Sequence, residues 1–244
     1  MKKVSIIIVS LFVIFFVLAR LGFSKVGGGF GGIQISGLYP SGIPDLNTRL
    51  FSLGYNQSFS EVLPGVGGFG FGIMNKVVIS GFGVKVLPIT IEGKFNNTNV
   101  SATIDGGMGF FEVGYALLSD NFSLIPMLGI GGGGYLLNFK SKTDAMDFDN
   151  VARSPLSYNN TVNYGGCAIE LSVLFLGKIN LSERKFKWNE KDVNGYTSVG
   201  LSLKLSYLFL ILDNDVTIIN EPIIGQHNLL IGLSIFFGGG SESE

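Results

Sequence analysis

Strict alternation of apolar with small or polar side chains is the feature that most limits what this chain can fold into. In residues 198–210, SVGLSLKLSYLFL, every odd position from Val199 to Phe209 is apolar, and the even positions from Ser198 to Ser206 are serine, glycine or lysine. Successive side chains of a β-strand point to opposite faces, so this period of two predicts a strand with one apolar face. Such a strand needs a different environment on each side.

The same alternation recurs along the chain and predicts an all-β fold of about eight strands, and at most ten. The predicted strands are 30–39, 66–74, 77–87, 111–117, 121–139, 168–176, 198–210 and 228–237.

The connections between these strands alternate in length. Two are tight turns, at residues 75–76 and 119–120. Long connections at one end and short turns at the other are typical of an up-and-down antiparallel transmembrane β-barrel. One segment, 178–195, is long where a short turn is expected. The predicted long connections are 40–65, 88–99, 140–161 and 211–227.

The first long connection carries a helical pattern over residues 43–56. Leu46, Leu50 and Leu53 follow a spacing of i, i+4 and i+7, and Gly54 is a suitable residue for a helix end. We therefore predict a short helix here, with a further strand as the alternative. The helix leaves an even number of strands, as closed bacterial barrels have.

The composition is apolar and nearly uncharged. Only 14% of the residues are charged, the net charge is −1, and 36 residues are glycine. A chain without a basic field has no electrostatic basis for binding nucleic acid, so no nucleic-acid partner is expected. The single cysteine, Cys167, cannot form an intrachain disulfide.

The N-terminal residues 1–24 are typical of a secretory signal peptide. Lys2 and Lys3 precede an apolar run from Val4 to Ala19, and small residues near Ser24 suit a cleavage site. The run is slightly shorter than the roughly 20 residues that a helix needs to span a bilayer, so a retained anchor is the less favoured alternative. Residues 25–244 then form a single β-barrel domain.

Together these features resemble the small outer-membrane β-barrel proteins. Those barrels turn an apolar face to lipid and fill a narrow bore with small and polar side chains. The resemblance implies location in the cell outer membrane, contact with its lipid, no enzymatic activity, and a structural, adhesive or narrow-pore role. It also rests on aromatic residues near strand ends, namely Tyr39, Tyr115, Tyr135, Tyr164 and Tyr207.

Four charged residues lie on the small or polar faces of their predicted strands: Lys85, Glu112, Glu170 and Lys204. Buried charges must pair or lose their ionisation, so we expect an internal ion-pair network that fills the bore. Glu170 and Lys204 lie on adjacent strands and can pair directly. A polar path for water or a small solute is the alternative.

The only histidine, His227, lies at the start of the last predicted strand, after a loop containing Asp213, Asp215 and Glu221. General-base catalysis needs a carboxylate to orient the imidazole and a nucleophile beside it. One histidine with nearby acids favours a solvated loop residue. A membrane-embedded hydrolase is the catalytic alternative.

An acidic segment in the third long connection contains Asp144, Asp147 and Asp149. Carboxylate oxygens are calcium ligands, so these residues form a candidate loop cation site. The segment lacks the glycine and the bidentate glutamate of a helix-loop-helix calcium site, which favours a solvated loop. No cofactor and no resident metal are expected.

Gly129, Gly131 and Gly134 have the spacing of a dinucleotide-binding loop. Such a loop requires a helix after the glycines, whereas Tyr135 to Phe139 alternates as a strand. The glycines are therefore interpreted as positions where the barrel wall bends.

A soluble exported β-barrel that binds an apolar ligand is the main alternative. In that protein the apolar faces would line an internal cavity, so the direction of Leu201, Leu203 and Leu205 separates the two hypotheses. In the membrane hypothesis, apolar residues in the long loops are available to an extracellular partner.

Overall fold

Eight long strands form one antiparallel sheet in the structure, a computed structural model that describes residues 25–95, 98–118, 122–142, 159–188, 191–212 and 222–243. A two-residue strand, Leu117–Leu118, continues the fourth strand along the fifth. The long strands are β1 (Lys25–Pro40), β2 (Leu63–Met74), β3 (Val77–Phe95), β4 (Thr98–Tyr115), β5 (Phe122–Lys142), β6 (Asn159–Trp188), β7 (Lys191–Leu212) and β8 (His227–Ser243).

The sheet closes on itself. Each strand pairs with the next along the chain, β4 pairs with β5, and β1 pairs with β8 to complete the ring. All of these pairings are antiparallel. The prediction of an all-β, up-and-down antiparallel barrel with eight strands is therefore confirmed.

The register of the pairs sets the width of the barrel. The pairs that start from Gln34 in β1 lead in one direction to Gly133 and in the other to Ser123, ten residues apart on β5. Such an offset tilts the strands, typically by about 35–45° to the barrel axis. An eight-stranded barrel of this kind is just wide enough for side chains to fill.

The apolar faces of the strands point outward. On β7, Leu201 and Leu205 are exposed, whereas Ser202, Lys204 and Ser206 are buried inside. This is the opposite of the arrangement that an apolar ligand cavity requires.

A short helix in the first long connection is confirmed as α1 (Ile43–Ser52). Ile43, Leu46 and Leu50 are buried against the barrel. Leu53 lies just past the helix end and is exposed. The buried face of α1 therefore contains Ile43 and not, as predicted, Leu53. We call the end of the barrel that carries α1 the loop end, and the end that carries the turn at residues 75–76 the turn end.

Two predicted connections are wrong because strands continue through them. Residues 88–95 belong to β3, and 98–105 belong to β4. Residues 178–188 and 191–200 belong to β6 and β7 and form a long hairpin at the turn end. The 178–188 segment mixes polar and apolar residues on both faces, so it lacks the alternation by which a sequence reveals a strand. Residues 89–94 do alternate, but the register shift between Val86 and Ile89 turns Ile89 and Ile91 inward, so the apolar face of β3 changes side there.

Some predictions fall outside the described residues. They concern the signal peptide 1–24, the candidate cation site Asp144, Asp147 and Asp149, and the loop acids Asp213, Asp215 and Glu221. Among the residues that are described, no helix is both long enough and apolar enough to cross a membrane.

Candidate functional site: a buried charge belt inside the barrel

Three of the four predicted bore charges meet inside the barrel. The Lys204 Nζ atom lies 2.7 Å from Glu112 Oε1 and 3.0 Å from Glu170 Oε1. The contact with Glu112 is a hydrogen bond, whereas the contact with Glu170 is an ion pair without hydrogen-bond geometry. Glu112 is 1% exposed, Glu170 is 0% and Lys204 is 2%. A lysine thus bridges two carboxyl groups in a site closed to solvent.

Gly129 gives the two carboxyl groups room to lie side by side. In β5 it pairs with Glu112 of β4 on one side and with Glu170 of β6 on the other. A Cβ atom at Gly129 would lie 2.9 Å from Glu170 Oε2 and 3.2 Å from Glu112 Cγ. The first glycine of the apparent nucleotide motif is therefore part of the charge site, where its missing side chain makes space.

Serine hydroxyls complete the surroundings of Glu112. Ser80 Oγ donates to Oε2 at 2.9 Å, and Ser172 Oγ donates to Oε1 at 3.1 Å. The Lys204 ammonium also lies 3.7 Å from the ring centre of Phe82, within the range of a cation–π contact. Buried charges that are paired and hydrogen-bonded in this way are tolerated inside a protein.

A wider ring of polar groups surrounds the ion pairs. Ser234 Oγ donates to Gln34 Oε1 at 3.3 Å. Several buried polar atoms have no hydrogen-bond partner among the described residues: Gln34 Nε2, Ser36 Oγ, Ser202 Oγ, Ser206 Oγ and Glu170 Oε2. Ordered water satisfies such groups in native proteins. We call this ring, together with the three charged residues, the charge belt.

Apolar side chains close the bore above and below the charge belt. At the turn end, Phe30, Phe71, Leu174 and Phe236 belong to one buried cluster. Towards the loop end, a larger cluster reaches α1 and includes Phe82, Phe110, Tyr135, Tyr164, Leu208 and Leu50. The charge belt is thus a polar layer between two apolar layers.

Lys85 does not join the belt, and its predicted position inside the bore is wrong. Its neighbours Val84 and Val86 are buried, whereas Lys85 lies on the exposed outer face of β3. Gly81 and Gly83 also lie on the outer face. Because small and polar residues are typical of a bore-facing surface, these glycines led to the prediction that Lys85 points into the bore.

The predicted aromatic residues divide between the two sides of the wall. Tyr39 and Tyr207 are exposed on the outer face, but Tyr135 and Tyr164 are buried inside. The Tyr135 hydroxyl donates to Asn228 Oδ1 at 2.7 Å, and Asn228 Nδ2 donates to the Gly225 carbonyl at 2.6 Å. Tyr135 therefore ties the bore to the connection that precedes β8.

His227 lies outside the bore, on the rim of the loop end. Its Nδ1 atom is 2.6 Å from the Tyr207 hydroxyl, and its ring lies beside Phe209. Its backbone N–H donates to Ser41 Oγ. Among the described residues, no group of three or more His, Cys, Asp or Glu side chains could hold a metal ion. Within the part of the chain that the structure describes, the partner of the imidazole Nδ1 atom is an aromatic hydroxyl and not a carboxylate.

The connection that follows α1 is held against the loop end by local hydrogen bonds. Asn47 Nδ2 donates a hydrogen bond to the Phe59 carbonyl at 2.9 Å, and the Phe59 backbone N–H donates to Asn47 Oδ1 at 2.8 Å. Tyr55 pairs with Gly93 of the β3 extension, and burial raises the pKa of the Tyr55 hydroxyl. This part of the loop end is therefore a fixed surface.

Comparisons with known proteins find similar solved structures but no family for this chain. No family model matches the sequence, and no curated protein matches it significantly. Similar solved structures include the attachment invasion locus protein Ail of Yersinia pestis, crystallised with the heparin analogue sucrose octasulfate. It is 10% identical, with a TM-score of 0.41 and coverage of 91% of this chain and 99% of that chain.

The outer membrane protease OmpT of Escherichia coli is also similar, at 8% identity and a TM-score of 0.29. The match covers 93% of this chain and 100% of that chain. Since both TM-scores are below 0.5, the barrel assignment depends on the strand pairing of this chain itself.

Proposed function

We propose that this chain is a non-enzymatic β-barrel of an outer membrane, with a closed bore and a structural or adhesive role. The observation that carries the proposal is the apolar outer face, to which every strand contributes an exposed large apolar side chain. One from each strand in order is Ile33, Val66, Ile79, Phe111, Ile130, Leu171, Leu201 and Leu233. Soluble monomers rarely expose so extended an apolar surface, whereas a lipid-facing band requires one.

The edge of this band on β3 supports the proposal. The outward side chain near the turn end is Ile79, whereas further along the strand the exposed residues are Thr90, Glu92 and Lys94. An apolar stretch followed by polar residues is the expected pattern where a strand leaves lipid for water. Lys85 lies between the two regions, where a long side chain can extend its ammonium towards the headgroups.

The closed bore favours a structural or adhesive role over a narrow pore. Apolar side chains lie on both sides of the charge belt, and the belt itself is engaged in ion pairs. Contact with an extracellular partner would then use the loop end. Phe51 and Leu53 at the end of α1, and Ile223 before β8, are exposed apolar residues on that surface.

A hydrolase centred on His227 is the less supported function. General-base work needs a carboxylate to orient the ring, and the described partner of Nδ1 is the Tyr207 hydroxyl. A replacement of His227 with alanine that abolished a measured hydrolytic activity would reverse this ranking.

Fractionation and heat-modifiable gel mobility test the proposal. The chain expressed in a bacterium with an outer membrane should be recovered in that membrane and should migrate differently before and after boiling. Reconstituted in a planar bilayer, it should give no stable conductance. Recovery as a detergent-free soluble monomer would overturn the membrane proposal, and a steady conductance would overturn the closed bore.

A further inference from the structure

The hairpin at the turn end presents an open strand edge. β6 pairs with β5 as far as Gly177 and then continues to Trp188. From Leu181 to Trp188, no residue in the described part of the chain pairs with β6 on the side away from β7. Open edges of this kind expose backbone N–H and C=O groups and are templates for an added strand.

The other side of the hairpin is firmly anchored. β7 pairs with β8 as far as Val193 with Ser243, and β8 pairs with β1 as far as Lys25 with Ser243. The glycine-rich segment Gly238–Ser243 is therefore an inner strand of this extension. The Lys178 ammonium, 4.6 Å from the ring centre of Tyr196, adds a contact between the two hairpin strands. The open edge thus belongs to a four-stranded extension.

The chemistry of the edge is basic and partly apolar. Between Leu181 and Trp188 the strand carries three cationic residues and one carboxylate, Glu183. Leu181 is 62% exposed, and Arg184 and Lys185 are exposed near it. A partner strand that alternates carboxylates with apolar side chains would match both features.

The excess of positive charge on the edge disfavours a second copy of this chain as the occupant. Two such edges in antiparallel pairing would bring Arg184 and Lys185 of each copy together, and like charges in opposed positions are destabilising. The bulge between Asn180 and Ser182 further interrupts a regular self-pairing. The same cationic side chains attract an acidic partner.

We propose that residues 181–188 form a docking edge for an extended acidic segment of another protein, which adds to the sheet as a strand beside β6. Backbone hydrogen bonds would supply the general affinity. The cationic side chains would select acidic partners, and Leu181 would contact an apolar residue of the added strand.

A synthetic peptide of about twelve residues that alternates glutamate with valine tests this proposal. Its controls are the same peptide with lysine in place of glutamate, and one with prolines in place of alternate valines, which cannot form a full ladder. Binding is measured by fluorescence anisotropy to the full chain in detergent micelles, together with backbone amide hydrogen exchange. We expect the glutamate peptide alone to bind and to slow exchange at residues 181–187.

Charge-reversal variants locate the site. The double variant Arg184→Glu/Lys185→Glu should weaken binding by about tenfold or more, because it reverses the field along the edge. The matched variant Lys94→Glu/Lys140→Glu changes the net charge equally at exposed positions towards the loop end and should leave binding within about twofold.

Three results would overturn the proposal. They are equal binding of the glutamate and lysine peptides, binding of the glutamate peptide without protection of the edge amides, and equal weakening by the two double variants. Heat-modifiable mobility of each variant verifies that it is folded before the peptide is added.

Discussion

The Lys204 ammonium lies 2.7 Å from a carboxylate oxygen of Glu112, although β7 and β4 are three strands apart around the barrel. The lysine therefore reaches across the bore rather than pairing only with Glu170 on the adjacent strand. This contact links two distant parts of the barrel wall, so the charge belt stabilises the barrel from inside. The site also contains one carboxyl group more than it has ammonium groups.

This unequal charge count predicts that Lys204 matters more for stability than Glu170. In Lys204→Met, two carboxyl groups face each other without a cation, and removing one partner of a buried pair costs about 3–5 kcal/mol. In Glu170→Gln, Lys204 keeps Glu112 as its single partner, so the loss should be about 1 kcal/mol. Urea unfolding of the barrel in phospholipid vesicles, followed by gel mobility, gives both values.

The double variant Lys204→Met/Glu170→Gln distinguishes this explanation from simple loss of side-chain packing. Removal of one carboxylate in the lysine-free barrel relieves repulsion, so the double variant should be more stable than Lys204→Met alone. If the two losses simply add, the charge belt does not act as a coupled unit.

Gly129 should tolerate no side chain. In Gly129→Ala, the new methyl group would contact both glutamates, and overpacking of this kind costs about 1–3 kcal/mol. Gly81→Ala is the matched control, because a Cβ atom there has no heavy atom within 4 Å. The control should be neutral or more stable by up to about 1 kcal/mol. Equal losses at the two positions, measured by urea unfolding, would contradict this role for Gly129.

The strands that carry these residues could be predicted because lipid-facing and bore-facing side chains differ sharply. The period of two revealed the eight strands and placed Glu112, Glu170 and Lys204 inside. It failed where that contrast is lost. Residues 178–188 have polar groups on both faces, and the outer glycines around Lys85 are as small as bore residues. At residues 89–94 the alternation persists, but the register shift after Val86 reverses which face of β3 is apolar.

The cross-bore contact of Lys204 with Glu112 could not be predicted for a different reason. Two residues on non-adjacent strands meet inside a barrel only if they lie at the same height along its axis. That height depends on the register offsets of all the strands between them, and the local sequence pattern does not contain those offsets. The roles of Ser80 and Ser172 as hydrogen-bond donors to Glu112 follow from the same offset. Serine at inward positions is the only sequence signal of the charge belt beyond its charges.

The apolar outer face predicts a depth-dependent cost for a charge at Leu233. This residue is 56% exposed on the outer face of β8 and lies opposite Ile35 of β1. In a bilayer, Leu233→Lys should cost about 2–4 kcal/mol, whereas a surface change of this kind in a soluble barrel stays within about 0.5 kcal/mol. Thr197→Lys, at an exposed position nearer the turn end of β7, is the control and should cost less than about 1 kcal/mol. Urea unfolding in vesicles measures each loss, and a neutral Leu233→Lys would argue for the soluble alternative.

The hydrogen bond from Tyr135 to Asn228 should fix the connection before β8. Asn228 is buried, and its amide nitrogen holds the Gly225 carbonyl, so Tyr135→Phe leaves a buried acceptor without its donor. The expected loss is about 1–3 kcal/mol in unfolding free energy. Cleavage by externally added proteinase K should also become faster between residues 222 and 226, because this segment loses its anchor. Tyr207→Phe is the control, because it removes a hydroxyl that makes a hydrogen bond of similar length to His227 at an exposed site. It should change neither the unfolding free energy nor the cleavage rate appreciably. Equal effects of the two substitutions would show that burial of the Tyr135 bond does not control this connection.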